Sequence, residues 1–204
     1  MAERGVAETL EEAAAAARAC TLCAAQLPLG PRPTFRVSET ARLLIVSQAP
    51  GTKVHATGIP FNDASGDRLR LWLGVDRDAF YDAARVALVP MGLCYPGRLP
   101  KGGDVPPMKI CAPTWHPRLI PKLPAVRLTL LVGSHAIARM LGPGGMAAHV
   151  RRFRDYLPGR LALPHPSWRT IGWEAANPWF SADLLPELRA RVRETLDSAA
   201  PPGG

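Results

Sequence analysis

Leu43-Leu44-Ile45-Val46-Ser47-Gln48-Ala49-Pro50-Gly51 is the stretch on which the reading of this 204-residue chain turns. Four consecutive apolar residues leave no polar side to face water, so residues 43–46 read as a short strand buried on both faces. Pro50, which lacks a backbone donor, and Gly51 end the extended run, and residues 47–51 become a loop. A strand covered on both faces belongs to a parallel sheet between helices, and such folds bind their ligands beyond the carboxyl ends of the strands. The loop after Val46 is therefore the first place to look for chemistry.

Working outward, the same apolar pattern recurs at residues 127–132 (Arg-Leu-Thr-Leu-Leu-Val), 85–89 and 159–163. Helical stretches lie between them. Residues 7–19 are rich in Ala and Glu. Residues 66–73 carry Leu69, Leu71, Trp72 and Leu73 among charged neighbours and stop at Gly74, and residues 183–196 form a closing helix. Ser134 stands where it would cap a helix through Ala136, Ile137, Met140 and Leu141. Strands alternating with helices give an α/β chain with a parallel sheet covered on both faces, expected as one unit over residues 1–204 with a frayed tail from about 198. This order brings residues 48–61, 90–94 and 165–169 to one edge of the molecule.

The 22 Pro and 18 Gly imply long, shaped loops, and loops on a rigid scaffold are where binding and catalytic groups gather. A formal charge of +8 favours a polyanionic partner, because each basic side chain beside a phosphate releases condensed counterions. The first residues lack the basic, apolar, small-residue order of a secretory signal, and no stretch approaches the ~20 apolar residues that span a bilayer. A cytoplasmic, monomeric protein without a membrane partner is the expectation. In that reducing compartment the four cysteines read as metal ligands or reactive thiols rather than as disulfides.

Cys20 and Cys23 form a CxxC pair at the end of the first helix, and Cys94 and Cys111 bracket a Pro/Gly-rich loop. Two thiolates two residues apart can share one centre, and a metal would tie down a loop too long to stand unsupported. The plainer reading makes Cys94 and Cys111 small buried hydrophobes. Four thiolates accept zinc and iron-sulfur alike, so the spacing leaves the metal open.

Three separated matches, in order, then suggest a family. Ala49-Pro50-Gly51 followed by Gly58-Ile59-Pro60-Phe61 and Gly66 resembles the first motif of the bacterial-type iron-sulfur uracil-DNA glycosylases of family four. His165-Pro166-Ser167 resembles the second motif of the uracil-DNA glycosylase superfamily, and the cysteine arrangement is similar to that family's cluster site. The resemblance covers the chain from Cys20 to about Arg169. It implies a three-layer α/β/α sandwich with a central four-stranded parallel sheet and a [4Fe-4S] cluster on Cys20, Cys23, Cys94 and Cys111, with zinc the lesser alternative. It also implies hydrolysis of the N-glycosidic bond of deoxyuridine in DNA. Phe61 would stack on the flipped base, and His165 would donate to the base oxygen on which charge develops, assisted by the backbone of Gln48 and Ala49. Ser167, Trp168 and Arg169 would meet DNA, Trp168 as a wedge and Arg169 at a phosphate.

The first motif departs from the family. Gln48 stands where relatives carry Glu, and His55 where they carry an acidic residue, so the carboxylate that would orient water is missing. His55 itself would be the substitute base, with Asp63 or Asp67 as further sources of a carboxylate. The base-reading asparagine after the second strand is replaced within Val89-Pro90-Met91-Gly92. Asn62, His116 or the backbone of residues 90–93 would then read the base. Two other functions stay open: an iron-sulfur protein that binds DNA or abasic sites without efficient turnover, with Arg98, Lys101 and Lys109 as its rim, or a glycosylase for another deaminated base such as hypoxanthine. A phosphoesterase or nucleotide-binding enzyme is disfavoured because the chain has no P-loop and no paired-carboxylate metal motif.

Overall fold

The computed structural model describes residues 8–100 and 102–198, so Ala7, Lys101 and the expected tail beyond residue 198 lie outside the described residues. Helix α1 (Leu10–Arg18) begins on Thr9, whose side chain accepts the Glu12 N–H while the Glu12 carboxylate accepts the Thr9 N–H. This reciprocal cap satisfies donors that every helix start leaves open. Strand β1 (Leu43–Val46) is followed by α2 (Thr52–Thr57), α3 (Ala64–Leu73), α4 (Arg77–Tyr81) and β2 (Val86–Leu88). Then come α5 (Cys111–Leu119), β3 (Leu128–Val132), α6 (Ser134–Leu141), α7 (Met146–Arg151), β4 (Arg160–Leu163), α8 (Ile171–Ala175) and α9 (Leu185–Asp197).

The four strands form one parallel sheet in the order β2-β1-β3-β4. Helices cover both faces, which gives a three-layer α/β/α sandwich. Every residue of β1 is at most 1% exposed, the physical reason its sequence is apolar without alternation. On one face α9 packs against α3, β1 and β3, and Arg189 holds the end of α3 by donating to the carbonyls of Leu71 and Trp72 at 3.2 and 3.3 Å. Elsewhere α1 packs on α5, so the two helices that border the cysteines are fixed against each other.

Several elements differ from the sequence reading. Ser134 is the first residue of α6 rather than its cap; Gly133, at φ +88°, precedes the helix and no side chain caps it. Cys111 opens a helix, α5, which Pro113 and Pro117 mask in the sequence because proline signals a break. The closing helix starts at Leu185, after a wide turn over Phe180–Leu184, with Pro186 in its first turn, where a missing N–H costs no hydrogen bond. No helix among the described residues is long and apolar enough to cross a membrane.

Candidate active site

The carboxyl ends of the strands open into a cleft that is partly open to solvent. Three separated segments meet there. Residues 47–51 follow β1, Pro90 follows β2, and His165 follows β4, with Phe61, Asp63 and Ser65 completing one wall and Thr34 and Asp104 another. Of the residues singled out in the sequence, His165, Gln48, Ala49 and Phe61 all line the cleft.

Phe61 holds an unusual conformation, φ +55°, in the left-handed region that non-glycine residues seldom occupy. The surroundings impose it. A Cβ on Gly66 would fall 1.7 Å from the Phe61 carbonyl oxygen, so only glycine lets the start of α3 pass this close. The Phe61 ring meets Phe80 edge-to-face at 5.9 Å, which braces it from the core side. Backbone strain retained at a cleft wall is the usual mark of a positioned group.

His165 is seated in a similar manner. It follows β4 directly and lies over Gly133, where a Cβ would come 3.5 Å from the His165 Cβ. Its loop is cross-linked by its own backbone: the Ser167 N–H donates to the His165 carbonyl at 2.8 Å, and the Thr170 hydroxyl is within 3.1 Å of the same oxygen. Burial pushes the imidazole pKa below its ordinary 6.5, partly offset by the charges of Asp63 and Asp104. The ring is therefore neutral at neutral pH and able to donate one hydrogen bond.

Gln48 contributes through its backbone as well as its amide. The N–H groups of Met91 and Gly92 donate to the carbonyls of Ser47 and Gln48 at 2.8 and 2.9 Å, which locks the two loops together. Those two donors are thus consumed, and Pro90 has none, which leaves residues 90–92 without free N–H groups to read a base. The N–H groups of Gln48 and Ala49, by contrast, donate to nothing among the described residues.

Four of the residues singled out in the sequence are not part of the cleft lining. Asn62 accepts a hydrogen bond from Arg77 Nη2 at 3.2 Å and is not part of the lining. His55, on α2, is not part of it either; its ring lies 6.1 Å from that of Tyr95, and its Nδ1 is buried without a partner. His116 also stays outside, bonded through Nε2 to the Pro90 carbonyl at 3.0 Å, so it supports a cleft loop from behind. Asp67 pairs with Arg70 at 2.5 Å in the first turn of α3. Asp104 was absent from the sequence reading, because nothing local distinguishes it within a Gly-rich loop.

Beside His165 the chain makes a short turn over Trp168–Thr170 that leaves Trp168 74% exposed. Ile171, three residues on, is also exposed, at 56%. Arg169 lies over the Trp168 ring at 5.4 Å and against Gly103 of the loop between the later cysteines.

The four cysteines line a second cavity of about 350 Å³, with Leu27, Pro33, Leu93, Met108 and Trp115. The end of α1 delivers Cys20 and Cys23, the start of α5 delivers Cys111, and the Leu93 N–H donates to Cys111 Sγ at 3.2 Å. Burial pushes the Cys111 thiol up to about 11. Among the described residues no group of three or more Cys, His, Asp or Glu side chains is placed to hold a single metal ion.

His116, like His165, has its pKa pushed below 6.5 chiefly by burial. A group with a folded pKa below its unfolded value binds protons better when unfolded. The stability these two imidazoles allow is complete above about pH 6.5 and is lost as the pH falls. Urea unfolding followed from about pH 7 to about pH 5 should show a falling midpoint, with a shallower fall in His116→Gln. Equal slopes in both proteins would remove His116 from this account.

A family model described as the uracil DNA glycosylase superfamily matches residues 35–189, most of the chain and all of the cleft residues except Thr34.

Proposed function

We propose that this chain, which belongs to the uracil DNA glycosylase superfamily, is a glycosylase that releases uracil from DNA and leaves an abasic site. The observation that carries the reading is the meeting of His165, the unused N–H groups of Gln48 and Ala49, and the braced Phe61 ring in one cleft beside the exposed Trp168.

Hydrolysis breaks the bond between the sugar C1′ and the base nitrogen, and the electron pair leaves with the base. Fixed donors are most valuable where this charge develops. A neutral His165 and the N–H groups of Gln48 and Ala49 supply such donors with no reorganisation. Phe61 stacks on the extruded base and offsets part of the few kcal/mol that flipping costs. Trp168 fills the gap left in the duplex, Ser167 closes the turn behind it, and Arg169 meets a phosphate. Gln48, an amide rather than a carboxylate, orients a water or the base edge but takes no proton. Neither His55 nor Asn62 has a part in this reading, given where their side chains lie. Phe61→Ala should lower the single-turnover rate about tenfold, as befits the loss of a stacking contact of ~1–3 kcal/mol. An unaltered rate in a folded variant would remove Phe61 from the site.

A [4Fe-4S] cluster held by Cys20, Cys23, Cys94 and Cys111 is the companion reading, supported by the gathering of all four cysteines around one cavity. When bound, such a cluster supplies a cross-link between α1, α5 and the loop carrying Cys94.

A labelled oligonucleotide with one uracil, incubated with the protein and then treated with alkali, tests the function. Scission with uracil and none with thymine is expected. Hypoxanthine belongs in the same panel, because Pro90 stands where a reading amide is expected and Asn62 is held by Arg77. Scission at hypoxanthine alone would replace uracil as the substrate, and none with any base would replace turnover with binding.

A further inference from the structure

We propose that Asp104 is a catalytic carboxylate of this cleft, placed at its mouth to take a proton from the water that attacks the sugar; the proposal rests on the glycosylase reading above. The first motif offers Gln48 where a proton acceptor is needed, and His55 does not line the cleft. Two carboxylates do line it, Asp63 and Asp104. They are differently committed. Asp63 Oδ1 accepts the Gly66 N–H at 2.9 Å and caps α3, while the Asp104 carboxylate has no hydrogen-bond or ion-pair partner among the described residues.

Their depth differs in function as well. Thr34, Ser47, Val54 and Leu88 are all under 9% exposed and make the floor, whereas Asp104 is exposed at the rim. A nucleotide entering base first puts the ring on the floor and the sugar at the rim. Asp104 then stands beside the atom that becomes cationic. A carboxylate there stabilises the oxocarbenium-like transition state and accepts a proton from the water.

The loop carrying Asp104 is not free to drift. Asp104 bridges to Arg98 in antiparallel fashion, the Leu99 N–H donates to Gly103 O at 2.9 Å, and the Val105 N–H donates to Gly97 O at 3.0 Å. The Arg169 guanidinium lies so close to Gly103 that a Cβ there would be 2.8 Å from Nη1, so this hairpin touches the loop of His165. The step balances. The C1′–N bond breaks with its electron pair going to the base, the water oxygen bonds to C1′, and one water proton passes to Asp104 and then to solvent, from which the base anion is reprotonated.

The test is single-turnover release of uracil by the full chain, its D104N and D63N variants, measured from about pH 5 to about pH 9. The groups facing Asp104 are His165 across the cleft, Asp63 at the start of α3, Arg98 across the bridge and Arg169 against Gly103. We expect D104N to be tenfold or more slower at every pH measured, without weaker DNA binding or a lower melting temperature. A loss of less than tenfold in D104N, or a loss confined to D63N, would overturn the assignment. Absence of turnover in the unmodified protein would instead sink the glycosylase reading.

Discussion

His165→Ala is expected to lower the single-turnover rate of uracil release by about 10²–10³, the usual effect of deleting one donor aimed at developing negative charge. The melting temperature should hardly move. The ring is only partly buried and makes no hydrogen bond among the described residues, so its removal leaves no partner unsatisfied and a cavity open to the cleft. Its loop is held by the Ser167 N–H and the Thr170 hydroxyl through the His165 carbonyl, and alanine keeps that carbonyl. A stable variant with undiminished turnover would show that the donors are the backbone groups of Gln48 and Ala49 alone. His165→Gln, which restores one N–H, should recover part of the loss.

Cys94→Ser and Cys111→Ser should each empty the four-cysteine site of iron and lower the melting temperature by roughly 10–20 °C, given about 2–4 °C per kcal/mol for a chain of this size. The geometry explains why the effect should be large. These cysteines come from the end of α1, the start of α5 and the loop after β2, so a group bound to all four would cross-link three separated segments. Iron and sulfide analysis of protein purified without oxygen, together with thermal melts, checks it. Unmodified protein carrying neither iron nor zinc, with cysteine variants equally stable, would reduce the cysteines to packing residues. Stoichiometric zinc would keep the site and change its metal.

The two effects should separate. The variant at the cleft loses rate and keeps stability, and the variants at the cysteine cavity lose stability first. Pro90 and the pair Gly92-Leu93 border the respective cavities, so damage to the cysteine site should reach the cleft through this short stretch.

Residues 43–51 alone were enough to place a doubly covered strand and a functional loop, because an unbroken apolar run is stable only where both faces of a sheet are buried. Their spacing relative to Phe61, Gly66 and His165 carried the superfamily. What the chain could not reveal locally is which side chains face inward. Asn62 is adjacent to Phe61 yet turns to Arg77, and His55 lies near Tyr95 while its neighbour Val54 lines the cleft; one residue of rotation decides each. Asp104 is the converse case, invisible in a Gly-rich loop until the hairpin folds back against Arg169 and sets its carboxylate at the rim. Local pattern fixes the elements because burial and backbone hydrogen bonding act over a few residues, whereas the site depends on contacts between segments more than a hundred residues apart, such as Gln48 and His165, which only packing determines.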